Sequence, residues 1–362
     1  MTFPAETPVL SDGVVSLRAP LDTDLPGAVE RYTEEPGGSF GADDARNWMG
    51  FGIAEAWAAG TQLVFVIEYQ GRYAGSVGLV PDAMGNASVH YGLARWARGA
   101  GVAARAVRLA LAFGFEECGF RVIHWWAAVG NWPSRRVAWA CGFRSGPMIP
   151  GLAEVAGRRT DAWTGWILPG DRREARQRWL EVPVLETARV RLRMWRDDEA
   201  DRISAARTNH ATAHFLPFIP QPFTADDARW WLTDMDEQAA AGRRLNWCVA
   251  DVSTDLGLGN LTLFNLGGDG DGELGYWMHP DAQGRGVMNE ALRCMTSWYF
   301  GASSEGGFGG TRLVIRTAAT NKAARKVAES AGFRYVGSER EAFRLATHQD
   351  DRVTYDLLAS DL

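Results

Sequence analysis

Two short glycine-containing stretches carry the residues best suited to chemistry. They read Arg98-Gly-Ala-Gly-Val-Ala103 and Gln283-Gly-Arg-Gly-Val-Met288. Each follows a short apolar stretch and precedes an apolar-periodic segment, a pattern that indicates a strand, a tight turn and a helix start. Such a turn exposes consecutive backbone N–H groups, and the helix dipole adds partial positive charge, so the turn can bind an anion. Glycine at the fourth position, Gly101 or Gly286, lets the backbone approach a pyrophosphate closely.

The two stretches belong to an internal duplication. Other landmarks recur in the same order at rising offsets: Leu17-Arg18 and Leu192-Arg193 at 175, Ala42–Arg46 and Ala225–Arg229 at 183, Tyr91 and Tyr276 at 185, and Asn131, Gly142 and Asp161 against Asn321, Gly332 and Asp351 at 190. Small loop insertions in the second copy, such as the glycine-rich residues 301–310, explain the rise. The sequence therefore predicts two domains, residues 1–180 and 181–362, each of ordinary domain size.

Both copies show the same order of elements, namely strand, two helices, three strands, helix, strand, helix and strand. This order predicts an α/β (α+β) fold in which helices flank a mixed sheet, antiparallel early in the copy and crossing over through helices later. The second helices are predicted around Asp43–Ala59 and Ala225–Ala241. A short helix is predicted over Pro169–Trp179, between the copies. Residues Gly267–Glu273 are interpreted as a hairpin turn, because the spacing of a calcium loop is incomplete.

Bulk properties exclude several classes of function. The chain has 362 residues, 46% of them apolar, with a net charge of −6 and no basic run, so nucleic-acid binding lacks its electrostatic signature. Apolar runs such as Leu63–Ile67 are too short to span a membrane, and the N-terminus shows no targeting pattern. The 4 cysteines lack metal-ligand spacing. We expect buried thiols, no metal site and a cytoplasmic location, and we interpret most of the 16 tryptophans as core residues.

The glycine turns match neither a dinucleotide fingerprint nor a P-loop. The pattern Arg/Gln-x-x-Gly-x-Gly/Ala after a strand resembles the acyl-CoA pyrophosphate signature of the GNAT N-acetyltransferase superfamily. The second copy, read from Glu273 to Leu292 and then through Asn321-Lys322 and Ala331-Gly-Phe333, resembles the RimJ/RimL-type branch, which acetylates ribosomal-protein N-termini. The resemblance covers nearly the whole chain as two tandem copies, and it implies a GNAT-like fold with acetyl-CoA, or another acyl-CoA, as co-substrate.

The resemblance also implies which residues hold CoA. These are Leu93, Arg98, Gly99, Ala100, Gly101, Val102, Ala103 and Asn131 in the first copy, and Met278, Gln283, Gly284, Arg285, Gly286, Val287, Met288 and Asn321 in the second. The backbone N–H at the end of the strand that carries Met278 would polarise the thioester carbonyl. For Asn321 two interpretations stay open, contact with the pantetheine arm or capping of the following helix.

Glu273 occupies the position at which related enzymes carry a general base. An amine with a pKa near about 10 is mostly protonated at neutral pH, so a base is needed. The alternative is a solvated residue beside a hairpin. In the first copy Ser88 stands at this position, and His90 on the same face is either a substitute base or a structural residue. Ser134 is expected to donate a proton to the leaving sulfur, but Ala324 replaces it in the second copy. We favour the second copy as catalytic.

The loops expected to face the acceptor differ between the copies. Residues Glu34–Phe40 are short and acidic, whereas His210–Phe223 is rich in aromatic residues and either walls the acceptor site or packs against its own helix. The sequence predicts an acetyl-CoA-dependent N-acetyltransferase that acylates a primary amine, on a peptide or protein N-terminus or on a small molecule, by direct attack in a ternary complex. The alternative is a non-catalytic acyl-CoA-binding or scaffold protein. We expect a monomer whose two domains pair, or a homodimer.

Overall fold

A computed structural model describes residues 3–33, 41–266 and 270–362. The chain divides into two compact units, Met1–Arg176 and Gln177–Leu362. Each unit is described by itself below. The acidic loop Glu34–Phe40 lies outside the described residues, as do residues 267–269 of the expected hairpin turn.

The sheet of the first unit has nine strands among the described residues, in the order β1-β2-β3-β4-β5-β6-β9-β7, with β8 paired to β9. The strands are β1 Leu10–Ser11, β2 Val15–Arg18, β3 Leu63–Tyr69, β4 Arg72–Pro81, β5 Ala87–Leu93, β6 Ile123–Ala128, β7 Arg144–Ser145, β8 Ile149–Val155 and β9 Arg158–Ile167. Among the described strands of this unit, only β5 and β6 pair in parallel.

The sheet of the second unit repeats this arrangement in the order β10-β11-β12-β13-β14-β15-β17-β16. Its strands are β10 Leu185–Glu186, β11 Val190–Arg193, β12 Leu245–Asp251, β13 Gly257–Phe264, β14 Asp271–Met278, β15 Arg312–Ala318, β16 Arg334–Arg344 and β17 Gln349–Leu358. Here β14 and β15 are the parallel pair. The predicted mixed sheet, antiparallel early and crossing over later, is confirmed in both units.

Helices flank both sheets. They are α1 Leu25–Thr33, α2 Ala42–Asn47, α3 Ile53–Ala58, α4 Val102–Glu116 and α5 Trp132–Ala140 in the first unit, and α6 Ala200–Thr208, α7 His210–Phe215, α8 Ala225–Ala240, α9 Val287–Phe300 and α10 Lys322–Ser330 in the second. A π-helical turn, Trp48–Gly52, joins α2 to α3. The second helix predicted around Asp43–Ala59 is therefore continuous but locally underwound.

Alternation along the strands gives the second unit two apolar layers. Leu245, Trp247 and Val249 of β12 pack with α9 on one face of the sheet. Cys248 and Ala250 pack with α6 and α8 on the other face. A strand whose side chains are buried on both faces is mostly apolar, and the exception in β12 is the buried Asn246, whose Oδ1 accepts hydrogen bonds from Asn260 and Thr262. The same rule decides which residues of β14 face each layer.

A buried ion pair recurs at equivalent positions in the two units. Arg18 donates to both carboxylate oxygens of Asp24, at 2.7 and 2.9 Å. Arg193 donates to both oxygens of Glu199, each at 2.9 Å. Both carboxylates are buried, and the fork geometry satisfies two donors with two acceptors. The arginine of the repeated Leu-Arg pair therefore joins the strand that carries it to the helical turn that follows.

The helix predicted over Pro169–Trp179 is wrong, because the described backbone there is irregular. One of its carbonyl groups has a tertiary partner instead: Arg108 Nε donates to the carbonyl of Arg173 at 2.8 Å. Arg176 Nε in turn donates to the carbonyl of Gly142 at 2.7 Å. A helix would withdraw such groups into its own ladder.

The four cysteines are unpaired. Cys118, Cys141 and Cys248 are buried, and burial raises the pKa of Cys118 and of Cys141 to about 12. Cys294 is only half-buried. The expectation of four buried thiols therefore holds for three of them. None of the helices in the described ranges is long and apolar enough to cross a membrane.

Asp236 on α8 makes the stability of the second unit depend on pH. Burial, followed by the charges of Asp197 and Glu237, raises its pKa from 3.8 to about 6. The folded carboxyl group then binds more protons than the unfolded one, so stability falls as pH rises from about 4 to about 6. Asp236→Asn should raise the free energy of unfolding by on the order of 1–3 kcal/mol at pH 7 and leave it unchanged at about pH 3, below the unfolded pKa. Thermal unfolding at the two pH values checks this, and an equal gain at both would contradict it.

Candidate active site

In each unit, the two parallel strands of the sheet are paired along only part of their length. β14 and β15 are paired only as far as Leu274 and Ile315, although both strands continue. In the first unit, the pairing of β5 with β6 ends at Ser88 and His124. Beyond these points the facing backbone groups have no partner in the ladder, so they are available to a ligand. Each sheet therefore opens into a gap near the end of its central strand.

The backbone at the end of the central strand can donate into this gap. His279 N–H donates to the carbonyl of Leu258 on β13 at 2.8 Å. Because N–H directions alternate along a regular strand, the N–H of Met278 points to the opposite edge, toward the gap. In the first unit, the N–H of Ala94 donates to the carbonyl of Ala74 on β4. By the same alternation, the N–H of Leu93 points toward the gap. A donor so placed suits a thioester carbonyl.

The glycine turns follow directly after these strands. Gly284 and Gly286 have φ of 75° and 74°, and Gly99 and Gly101 have φ of 81° and 75°. A Cβ on any of them would meet no atom within 4 Å, so the left-handed backbone, and not crowding, requires glycine here. The turns lead straight into α9 and α4, whose first N–H groups have no acceptor within the helix. Together these groups form an anion cradle.

Among the predicted cradle residues other than glycine, Arg98, Ala100, Gln283 and Arg285 are exposed and Ala103 is half-buried. Val102, Val287 and Met288 are buried in the apolar layers under α4 and α9. They can therefore offer a ligand only their backbone. Arg98 Nε and Nη2 both donate to the carbonyl of Leu93 at 3.1 Å, which ties the turn to the end of β5. Gln283 has no such fork, so the second unit lacks this tie.

Glu273 lies on β14, at the edge of the gap, with a side chain only 12% exposed. Its Oε2 accepts a hydrogen bond from Asn265 Nδ2 at 2.8 Å and one from Arg316 Nη1. Its Oε1 accepts none from the described residues. One carboxylate oxygen is thus anchored while the other is available to accept a proton, the arrangement that a positioned base requires. This contact pattern differs from that of a freely solvated side chain.

The first unit has no carboxylate at this place. Ser88 Oγ and His90 Nε2 share a hydrogen bond of 3.1 Å. The His90 ring packs edge-on against Trp126, with centroids 5.8 Å apart. One side of the His90 ring stays exposed, but loss of hydration on the packed side lowers its pKa below 6.5. His90 is therefore neutral at pH 7 and can accept a proton, but the described geometry engages it with Ser88.

Ser134 belongs to a closed hydrogen-bond network. Its Oγ shares a hydrogen bond with Tyr91 Oη at 2.9 Å and accepts one from Trp125 Nε1 at 3.2 Å. Burial raises the pKa of Tyr91 well above its ordinary value. In the second unit, Tyr276 donates to the carbonyl of Ala324 at 2.8 Å. The tyrosine therefore contacts the last helix in both units, although only the first unit has the serine hydroxyl.

Asn131 and Asn321 cap the helices that follow them. Asn131 Oδ1 accepts from the N–H of Ser134 at 3.2 Å, and Asn321 Oδ1 accepts from that of Ala324 at 3.1 Å. This is the ordinary N-cap bond. Each side-chain amide NH₂ still has donors for a ligand, so capping does not exclude the contact with CoA implied by the sequence.

Comparison with protein families identifies the fold. The family model described as acetyltransferase (GNAT) domain matches the chain twice, at residues 16–144 and 189–334. The chain belongs to the GNAT family. It is therefore an acyl-CoA-dependent N-acyltransferase with two GNAT domains, and acyl-CoA is its co-substrate, as the sequence predicted.

Single-domain GNAT structures resemble about half of the chain. A GCN5-related N-acetyltransferase from Brucella melitensis is 22% identical and covers 51% of this chain and 82% of its own, with a TM-score of 0.43. The ribosomal-protein-S5-alanine acetyltransferase from Vibrio fischeri is 19% identical over 49% and 98%, with a TM-score of 0.43. RimJ from Mycobacterium smegmatis, solved with CoA-disulfide, is 20% identical over 51% and 90%, with a TM-score of 0.43. A comparison with curated proteins gave no match.

The sequence analysis missed one buried arginine in each GNAT unit. Arg31 lies in the last turn of α1 and Arg207 in the last turn of α6, and both side chains are buried over the sheet face opposite α4 and α9. The two arginines are 176 positions apart, close to the 175 that separates Leu17-Arg18 from Leu192-Arg193, so the repeat could have identified them as equivalent residues. Within the aromatic loop of the second unit, Phe223 is buried beside Arg207, whereas Phe218 is 78% exposed.

Proposed function

We propose that the second GNAT unit transfers an acyl group from acyl-CoA to a primary amine by direct attack in a ternary complex, with Glu273 as general base. The observation that supports this is the half-anchored carboxylate: Oε2 is held by Asn265 and Arg316, and Oε1 is free among the described residues. It lies on the strand that ends at Met278, directly before the anion cradle.

Different groups of the second unit bind CoA, polarise the thioester and accept the proton. The backbone of the Gln283–Met288 turn binds the pyrophosphate of CoA, and the pantetheine arm enters the gap between β14 and β15. The N–H of Met278 donates to the thioester carbonyl, where negative charge develops during attack. Glu273 takes a proton from the acceptor ammonium, which frees the lone pair of its nitrogen.

The proton route runs through water. Glu273 and Met278 are five positions apart on an extended strand, so their Cα atoms are about 16 Å apart. The acceptor amine must therefore lie between them, and water molecules carry its proton to Glu273. The leaving thiol has a pKa of about 8.5, so it departs as thiolate without a hydroxyl donor, consistent with Ala324 at the position of Ser134.

The first GNAT unit has the same cradle but no carboxylate at the corresponding position. We assign it acyl-CoA binding, with His90 as the group that would serve as base if it turns over an amine. The acceptor of the protein is proposed to be an amine of a peptide or protein N-terminus or of a small molecule.

Steady-state kinetics test the ternary complex. The concentrations of acetyl-CoA and of an amine acceptor, drawn from a panel of peptides and small amines, are varied together while release of CoA is followed. Direct attack predicts intersecting double-reciprocal lines, and parallel lines would show a covalent acyl-enzyme instead. Binding of acetyl-CoA without turnover of any amine would support the non-catalytic alternative.

A further inference from the structure

Arg207 is a cation buried among aromatic rings in the second GNAT unit. Its side chain ends 4.2 Å from the centre of the Trp231 ring, 4.8 Å from Phe223 and 6.0 Å from Trp277. The residue is only 9% exposed. Ring faces attract a guanidinium, but they supply no acceptor for its N–H groups.

Donors at this place lack acceptors. In the part of the chain that the structure describes, the Arg207 guanidinium has no carboxylate partner, and its Nε is buried without a hydrogen bond. The indole Nε1 of Trp277 is likewise buried without a partner. The positive charge of Arg244 lies close enough to add to the effect of burial, and together they lower the pKa of Arg207 to about 10. Unmet buried donors cost stability unless a ligand satisfies them.

The equivalent arginine of the first unit is placed differently. Arg31 Nη1 donates to the hydroxyl of Ser76 at 3.2 Å. Its guanidinium lies against Gly92, where an added Cβ would be 1.9 Å from Nη2. Trp277 stands at the position of Gly92 in the second unit, so Arg207 cannot lie on the strand and is held in the ring cluster. Arg31 lies over one ring, that of Tyr32 at 4.5 Å, whereas Arg207 lies among three, so a structural role common to both units does not explain the full aromatic setting of Arg207.

This aromatic setting lies beside the reacting centre. Trp277 directly precedes Met278, whose N–H points into the gap, and consecutive strand residues are only about 3.3 Å apart along the strand. Glu273 and Trp277 share the sheet face that packs against α6 and α8. A molecule bound there presents its nitrogen to the thioester on one side and its remaining groups to Arg207 on the other.

We propose that Arg207 and the indole N–H of Trp277 bind a carboxylate of the acceptor, so that the second unit selects amines bearing a carboxylate within a few bonds of the reacting nitrogen. This rests on the function proposed above. A carboxylate is planar and accepts from a guanidinium fork, so it satisfies the donors that the fold leaves unmet. A free amino acid and a peptide with an acidic first residue both offer this chemistry.

Matched acceptor pairs test the proposal. One pair is alanine and alaninamide, and the other is two tetrapeptides that differ only in aspartate or asparagine at the first position. Binding to the full chain in the presence of CoA is measured by calorimetry, and kcat/KM is measured by CoA release. We expect the carboxylate member of at least one pair to be preferred about tenfold or more, the range of a charge-assisted hydrogen bond. The favoured pair shows which source of the carboxylate fits.

Variants assign the preference to Arg207. Arg207→Met should reduce the ratio within the favoured pair to about one while CoA still binds, and Arg207→Lys should keep part of it. Trp277→Phe, which retains the ring without the N–H, should lower the ratio in a chain that still folds. Arg31→Met in the first unit is the matched control and should keep the full ratio.

The outcomes separate this inference from the proposed function. Turnover without preference within either pair, or a preference that Arg207→Met retains, would overturn the carboxylate site and leave the transferase intact. If no amine is acylated, the calorimetric ratios decide the inference by themselves. Equal binding of both members of each pair would then refute it.

Discussion

Replacing Gly286 with tryptophan should remove acetyl-CoA binding from the second unit, with an affinity loss of at least about a hundredfold. The backbone there has φ of 74°, a conformation that costs an L-residue roughly 1–2 kcal/mol. The space beside its Cα is open, and an indole placed in it would cover the N–H groups of the cradle. Losing charge-assisted hydrogen bonds of about 1.5–3 kcal/mol each accounts for the size of the effect.

Calorimetric titration of acetyl-CoA measures this loss, and Gly306→Trp is its matched control. Gly306 has φ of 85°, belongs to the same unit and also has open space beside it. It therefore carries the same backbone strain away from the cradle, and its variant should bind normally. Gly101→Trp should remove a separate site in the first unit. Full binding by the Gly286→Trp variant would show that the turn does not hold CoA.

Replacing Glu273 with glutamine should lower kcat/KM for the amine by about 10²–10³-fold, the usual contribution of a general base. The Kd for acetyl-CoA should stay unchanged, since glutamine keeps the size of the side chain. The remaining activity should rise with pH up to about pH 10, because only the unprotonated amine attacks. Kinetics from pH 6 to 10 on wild type and variant measure both effects.

The control for this variant is Glu186→Gln. Glu186 also pairs with an arginine, Arg191, at 2.9 Å. It lies on β10, at the edge of the sheet and away from the gap. Its loss removes an ion pair without touching the proposed chemistry, so activity should be retained. A Glu273→Gln enzyme as active as this control, at every pH, would assign the base to another residue.

The sequence could predict the site where one local pattern determines the structure. Gly99, Gly101, Gly284 and Gly286 all take a left-handed backbone, in the tight turns that their spacing predicted. A turn between a strand and a helix depends on a few neighbouring residues, so its geometry is encoded locally. The duplication then supplied an internal check, because each landmark had a counterpart in the other copy.

Contacts between distant segments could not be predicted in this way. Arg207 became a candidate only when the fold brought Trp231 and Trp277 around it, and nothing in its neighbours along the chain marks a buried arginine. The strand β16 was missed because its residues are mostly exposed and lack alternation. The segment 169–179 has the composition of a helix, yet its backbone is irregular, with a tertiary hydrogen bond to the carbonyl of Arg173 and another from the side chain of Arg176. Local propensity is a weak guide where such contacts decide.

The interpretation of Glu273 and Asn321 also needed the structure. The sequence left Glu273 as either a base or a solvated residue, and its bonds to Asn265 and Arg316 favour an oriented carboxylate. For Asn321 the cap is observed, while the contact with CoA stays a prediction. Both distinctions depend on partners that are remote in sequence or belong to a ligand.

The arginine at the end of the first helix of each unit restricts the order in which that unit can change. Any side chain at position 92 would collide with Arg31, whose Nη2 lies 1.9 Å from the Cβ position. A tryptophan there, as in the second unit, becomes tolerable only after the arginine has adopted another rotamer or been lost. The two positions are therefore epistatic, and Gly92→Trp should be tolerated better when Arg31 is changed as well.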